Sequence, residues 1–422
     1  MKPTKFSPTI HGFHFDNNFV NPVLFGAFDT YGLCGGMAYC ALDYYWNNLP
    51  IPTHVPADFG STQYPPPGSR LYNQIYGRLI DSFTGEAAKW ICIYPDLLLV
   101  AGAALGATVG GPFGAVFGAI AGGVADLVDR VSADPKSQTT SDLQTLVQQL
   151  DAGKPTPIGL AYSWNLGDIA KGHQVVAIGY DPLPNGQFGI YVYDNDYHDQ
   201  TTYLVIDPAK PDNLTYWLLT GADGTVSTNR TPADTPAWVA MFVQENYKPK
   251  FPAYMDLVAG NETVVLTGPT VTRTVMQPVG PYGAGLGGGR PLLPVKVSTQ
   301  VQTAGAPLTA SYQLSNRGDY PAHCTKTGLR IVAPGGAASD ALTTGAATPV
   351  GSLASGGSVA LTYAAKSFGT GGSGTYLLTP EFVSTDGQTW LPLPGYTLSV
   401  AVDPPGTTLV PGVAPAPVAP AK

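Results

Sequence analysis

The sequence predicts an α+β domain, interrupted by a glycine-zipper helical hairpin and followed by an all-β sandwich. Three observations lead there. A helical pattern opens at Cys34, and far downstream the chain turns to short β-rich runs beginning at Thr156 and His173. Between them lies an uncharged stretch with glycine at every fourth position. From Val295 onward, short runs of alternating apolar and polar residues are cut by Gly, Pro and Ser at the intervals of a sandwich.

Composition bounds the answer first. A chain of 422 residues exceeds one ordinary core, so two domains are the starting expectation. With 44% hydrophobic and 12% charged residues it has ample material for packed cores, and 51 Gly with 40 Pro favour turns and strands over long bundles. A net charge of -8 with no Lys/Arg cluster gives no electrostatic reason to bind a phosphate backbone, which excludes nucleic acid as a partner. Cys34, Cys40, Cys92 and Cys324 are spaced for neither a zinc site nor a disulfide framework and read as free thiols. The first residues carry two lysines but no apolar core, so no standard secretory signal is expected; this leaves a cytoplasmic location or a non-classical route of export.

Residues 1–252 form the first predicted domain, with helices starting at Cys34 and spanning Leu71 to Phe83. Within it, Leu97 to Ala125 are 29 consecutive uncharged residues in which Gly102, Gly106, Gly110, Gly114, Gly118 and Gly122 would line one helix face. Pro112 interrupts that run, so 97–126 is expected to be a hairpin of two short helices. Two uses stay open: packing on the surrounding domain, favoured by a mean hydropathy of only +0.05, or contact with a membrane or another protein. Ser141 is the expected N-cap of an amphipathic helix ending at Leu150. Strands follow at Thr156–Ser163, His173–Tyr180, Gly189–Tyr193, Thr202–Ile206 and Trp238–Gln244. Residues 253–294 read as a Gly/Pro connector, 295–403 as an immunoglobulin-like sandwich able to take a protein or glycan ligand, and 404–422 as an extended Pro/Ala tail.

The chemistry gathers at two places. In YGLCGGMAYCALDYY, Cys34 follows a turn and starts the helix, where the positive end of the macrodipole favours a thiolate; Cys40 falls on the buried side. In KGHQVVAIGYD, His173 begins an apolar strand, and the next strand ends in DND, where Asp194 or Asn195 is available to hold the imidazole tautomer. Asp194, Asp196, His198 and Asp199 lack the glycine and terminal glutamate of a calcium loop, so no metal is expected there, and no cofactor anywhere.

GLCGGM, GHQVVAIGYD and YVYDND together resemble the papain-like cysteine peptidase superfamily, most closely the bacterial group around the double-glycine leader peptidases, over roughly residues 10–250. The resemblance implies a papain-like fold in which Cys34 is the nucleophile of a thiol protease, His173 its base and then acid, and Asp194 the orienting residue, with Asn195 the alternative. It implies a hydrolase acting on a peptide or amide through an acyl-enzyme. The sequence departs from that pattern where the superfamily has an oxyanion glutamine six residues before the cysteine: Phe28 stands there. Asn17, Asn18 and Asn21 are the candidate replacements. Acyl transfer uses the same three residue types, and a non-catalytic papain-like protein acting through the glycine zipper and the β-sandwich on a partner or bilayer is the rival from another class.

Overall fold

The computed structural model describes residues 2–23, 28–94, 135–218, 231–232, 238–265, 270–278, 292–303, 308–334, 348–365, 374–383, 387, 389–393 and 398–403. The predicted glycine zipper at 97–126 and the tail at 404–422 therefore lie outside the described residues. No helix among the described residues is long and apolar enough to cross a membrane. The chain mixes helix with several antiparallel sheets and divides into two units, Met1–Tyr254 and Met255–Lys422.

In the first unit the described helices are α1 (Pro8–His11), α2 (Cys34–Trp46), α3 (Arg70–Gly85), α4 (Ala87–Ile93) and α5 (Pro135–Asp151). Its strands are β1 (Lys2–Pro3), β2 (Val20–Val23), β3 (Phe28–Tyr31), β4 (Thr156–Ala161), β5 (His173–Pro182), β6 (Phe188–Tyr193), β7 (Thr201–Ile206), β8 (Thr215–Leu218), β9 (Thr231–Pro232) and β10 (Ala240–Val243). β2 and β3 pair as a hairpin, and the rest make one antiparallel sheet ordered β10-β4-β5-β6-β7-β8-β9, with β1 also on β5. Helix α5 differs from expectation. It is already helical at Pro135, so Ser141 is an interior residue and not the N-cap. Leu143, Leu146 and Leu150 on it pack against Ile158, Val175, Ala177 and Val192 of the sheet, which supplies the buried face that periodicity required.

Helix α2 is buried from Gly35 to Tyr44, because it lies between α3 and β5. Two glycines make that possible. A Cβ on Gly36 would sit 2.0 Å from the carbonyl oxygen of Ile75, and one on Gly35 would meet Ser82 Oγ at 2.4 Å and Gln174 Nε2 at 2.5 Å. α3 begins on a Ser69 cap whose Oγ accepts the Tyr72 N–H, and it buries Leu71, Ile75, Arg78 and Leu79 along one stripe.

A buried charge cluster closes the contact between these helices. Arg78 meets Asp43 through Nε at 2.7 Å and through a second guanidinium nitrogen at 2.9 Å, and it also donates to Asp81 and to the Lys248 carbonyl. Asp43 Oδ1 in turn accepts the Tyr247 hydroxyl and the Lys250 N–H, which ties the chain after β10 to the middle of α2. Burial pushes the Asp43 carboxyl up to about 6, with Arg78 pulling against it, so without the guanidinium this carboxylate would be badly stranded.

The second unit contains β11 (Leu257–Val265), β12 (Thr270–Pro278), β13 (Leu292–Thr303), β14 (Leu308–Asn316), β15 (Ala322–Val332), β16 (Thr348–Leu353), β17 (Ser358–Ala365), β18 (Gly374–Val383), β19 (Trp390–Pro392) and β20 (Leu398–Asp403). One sheet runs β11-β14-β17 and the other β12-β13-β20-β18-β15-β16, with β19 on β18. A single core joins them: Leu257, Leu314, Leu361 and Tyr363 from the first sheet meet Ile331, Tyr376, Leu378 and Val400 from the second. This corrects the expected connector. Much of 253–294 is strand, and Leu257 and Ala259 belong to the sandwich core. The alternation there is broken by a register shift between Gly260 and Thr263, which hides the strand from a period-two reading.

Two predictions concern the first unit. Arg78→Met should cost about 3–5 kcal/mol in urea unfolding by leaving Asp43 buried and unpaired, while adding Asp43→Leu should return most of it. Glu86, almost fully buried at the start of α4, has a carboxyl pushed up to about 7 by burial, against the pull of the Asn246 N–H and Lys89. An unfolded glutamate releases its proton near 4.5, so in the window between about 4.5 and about 7 the folded chain holds more protons and stability falls as pH rises. Glu86→Gln should match wild type near the bottom of that window and exceed it above the top, read by denaturant titration at each pH.

Candidate functional site

The site is built at the N-terminus of α2 and the near ends of β5 and β6. Gly32 takes a left-handed φ of +102°, which turns the chain into the helix so that Cys34 is its first residue and remains half-buried. The side chain of Asn17 occupies the space beside that turn: a Cβ on Gly32 would lie 2.2 Å from Asn17 Nδ2. Asn17 Oδ1 accepts the Leu33 N–H, so this amide fixes the residue immediately before the cysteine. As the first helical residue, Cys34 directs its own N–H away from the helix ladder, where it can serve an incoming oxyanion.

The sheet register determines which side chains face which. Val176 pairs with Tyr193 and Ala177 with Val192, so the odd residues of this part of β5 share a face with the even residues of β6. Continued past the strand end, that register puts His173, Asp194 and Asp196 on one face and Gln174 with Asn195 on the other. The contacts agree. His173 Nε2 lies 2.7 Å from Asp194 Oδ1 and 3.6 Å from Asp196 Oδ2. The Cys34 thiol acts on the same ring and helps to raise its pKa, and with Nε2 engaged by Asp194 the nitrogen left to face it is Nδ1. Cysteine, imidazole and carboxylate thus form a connected series.

Asn195 has a different job from the orienting one that was open to it. It is fully buried, and its Nδ2 donates to the Cys34 carbonyl at 3.1 Å and to the Gln174 carbonyl at 3.0 Å, stapling the start of α2 to β5. Asp194 is the carboxylate on the histidine. Its Oδ1 also accepts the Asp196 N–H, and its Oδ2 accepts the Tyr216 hydroxyl, which is itself bonded to Thr202. Burial alone would raise the Asp194 carboxyl, but the His173 charge and these hydrogen bonds bring it below the usual carboxylate range. For His173, burial disfavours the charged ring. The Asp196 and Asp194 carboxylates and the bonds from Asp194 and Cys34 outweigh it and hold the ring well above the ordinary histidine value.

Among the oxyanion candidates, Asn17 is the one brought against the turn before Cys34. Asn18 is exposed, with its backbone N–H on the Asp16 carbonyl. Asn21 lies on β2 and Phe28 begins β3, and their side chains are outside the described residues. Cys40 and Cys324 are buried, with thiols pushed up by burial.

Three residues contribute in roles that the sequence did not assign to them. Trp238 lies parallel to the His173 ring at 6.1 Å between centroids and carries Tyr162 on its edge, shielding the imidazole from one side. Tyr216 buttresses Asp194, and Asp196 adds a second carboxylate. Tyr216 on β8 and Trp238, just before β10, are remote from His173 in sequence, so no local spacing announces them. Asp196 is visible in the sequence only as part of the DND run.

Asp194, Asp196, His198 and Asp199 are not assembled as a metal set. His198 Nδ1 is 2.7 Å from Asp16, and Asp199 is 2.6 Å from His14 Nδ1, so both lace the N-terminal segment to the loop after β6. His173, Asp194 and Asp196 do offer ligand atoms within 4.8 Å of one another. Their hydrogen bonds run to the ring, the Tyr216 hydroxyl, the Asp196 N–H and the Asn17 amide. The trio reads as a hydrogen-bonded acid–base cluster.

The staple gives a direct test. Asn195→Ala removes one donor from two carbonyls and should lower stability by about 1–3 kcal/mol in denaturant unfolding, with a loss of the Cys34–His173 contact visible as slower alkylation of Cys34 than in wild type.

No protein-family model matches the chain, and no curated protein does. Several solved structures are similar to parts of it, two of them as follows. The C-terminal domain of wzt is 14% identical with a TM-score of 0.19, over 34% of this chain and 79% of that one. The β-D-glucoside glucohydrolase from Trichoderma reesei is 14% identical with a TM-score of 0.17, over 36% of this chain and 19% of that one. Likeness at this level carries no argument about fold or chemistry, which rest on the residues themselves.

Proposed function

We propose that this protein is a cysteine hydrolase, a peptidase or amidase of papain-like type, working through Cys34, His173 and Asp194, with an immunoglobulin-like module at its C-terminal end. The observation that carries the reading is the connected series of Cys34 thiol, His173 ring and Asp194 carboxylate, the last at 2.7 Å from Nε2. Each member has the environment its role needs. Cys34 starts a helix and is half-buried, so a substrate carbonyl can reach it. His173 is held as a charge acceptor, and Asp194 is buried, ionised and fixed by Tyr216.

The reaction follows from that arrangement. The Cys34 thiolate adds to the amide carbonyl carbon, and the oxygen that becomes negative is met by the N–H of Cys34. Collapse expels the amine, which takes the proton from the His173 imidazolium, and leaves a thioester on Cys34. Water then attacks the thioester while neutral His173 removes its proton, and collapse of that intermediate releases the carboxylic acid and the Cys34 thiolate, restoring the thiolate–imidazolium pair. Asp194 keeps the ring oriented throughout and stabilises its charge without itself taking the proton.

The test is alkylation of the native protein with iodoacetamide across a pH series, the adduct located by mass spectrometry. Wild type should be modified selectively at Cys34 near pH 6, and His173→Ala should slow that by about 100-fold, since an unassisted thiol is only a fraction of a per cent thiolate there. Equal reactivity in both proteins would overturn the assignment.

A further inference from the structure

The proposed triad leaves one polar connection unused. Asp196 faces the same imidazole as Asp194, with Oδ2 at 3.6 Å from Nε2, yet it makes no direct bond to the ring because Asp194 already takes that proton. Its other oxygen accepts the Asn17 amide at 3.0 Å. Asn17 is buried, its Oδ1 holds the Leu33 N–H beside the nucleophile, and its backbone N–H is bonded to the Asn195 carbonyl at 2.8 Å. One asparagine side chain therefore spans from the residue before Cys34 to a carboxylate beside His173. Nothing in a three-residue mechanism requires this bridge.

We propose that Asp196 is a second positioning carboxylate for the His173 ring, and that Asn17 couples it to the nucleophile turn so that base and nucleophile are held as one unit. The inference rests on the hydrolase reading and extends it. Its physical content is electrostatic. A unit charge under 4 Å from the ring edge stabilises the imidazolium, and the side chain is 45% exposed, so solvent screens the effect without removing it. The charged and titratable groups facing His173 are Asp194, Asp196 and Cys34; Tyr216 stands behind Asp194, and Asp16 acts on Asp196 from the N-terminal segment. Trp238, stacked on the ring, contributes no charge. Burial and the adjacent Asp194 raise its carboxyl, while the His173 charge and the Asn17 amide favour the ionised form, which places a second negative charge beside the ring. The imidazolium then persists to higher pH than one carboxylate would allow, and the thiolate–imidazolium pair persists with it.

The experiment is an NMR titration of the full chain labelled with 15N-histidine, comparing wild type, Asp196→Asn, Asn17→Ala and Asp194→Asn, with Cys34 alkylation measured on the same samples. Asp196→Asn is isosteric at a half-exposed position, so the fold should persist, as melting would verify. The expected result is a fall of about 1 pH unit in the His173 midpoint for Asp196→Asn, and a smaller fall in the same direction for Asn17→Ala, with Cys34 still alkylated selectively. An unchanged midpoint in Asp196→Asn, with alkylation still dependent on His173, would overturn the role of Asp196 and leave the hydrolase reading standing. A wild-type midpoint in the ordinary histidine range together with an unreactive Cys34 would overturn both.

Discussion

A one-residue register shift in β5 is the constraint on which the site depends. Tyr180 pairs with Ile190, but Ala177 pairs with Val192, so β5 has one residue more than β6 between those pairs. In a sheet a slip of one residue exchanges the two faces. The shift lets the far half of the hairpin bury Tyr180 with Ile190, and the near half bury Val175 and Ala177 with Val192, in the same core under α5. It also turns His173 toward Asp194 and Asp196, and Gln174 and Asn195 toward α2. Without it, Asn195 would share a face with His173 and Asp194 would face the nucleophile helix.

Cys34 is positioned by close packing from the other direction. Gly35 and Gly36 let α2 approach Ser82, Gln174 and the backbone of Ile75 more closely than any side chain would allow. The Asp43–Arg78 cluster then holds the helix in that slot along its length. The polar bonds of Asn195 and Asn17 act at its first turn, where packing alone leaves a helix terminus free to fray. Steric fit sets the position of the helix axis and hydrogen bonds set the position of Cys34, and a reactive thiol needs both because an error of about 1 Å at the reacting atoms is enough to cost activity.

The N-terminal segment joins these two halves. Phe13, Phe15 and Phe19 are buried in an aromatic cluster that reaches Tyr44 and Phe59, while Asp16 and Asn17 between them point their polar groups at the loop after β6. Hydrophobic burial thus supplies the free energy that orders the strap, and its polar residues inherit fixed positions beside the site. Cys40 and Cys324 are buried without a basic partner, and burial disfavours their thiolates.

Much of this was legible in the chain, for identifiable reasons. The order Cys34, His173, Asp194, the helix opening at Cys34 and the strands around His173 and Tyr193 follow from local pattern, since hydrophobic period and turn residues act over neighbours in sequence. The start of the second unit is hidden in the sequence because a break at Gly260 interrupts the alternation, and Ser141 resembles a cap because capping preference does not reveal how far a helix extends upstream. By itself the sequence determined which residue types were available and on which elements they ride. The choice of Asp194 over Asn195, the service of Trp238 and Tyr216, and the bridge from Asn17 to Asp196 were decided only by tertiary structure. Each depends on strand register or on contacts between segments remote in the chain, and a single bulge is sufficient to reverse a face without altering any local propensity.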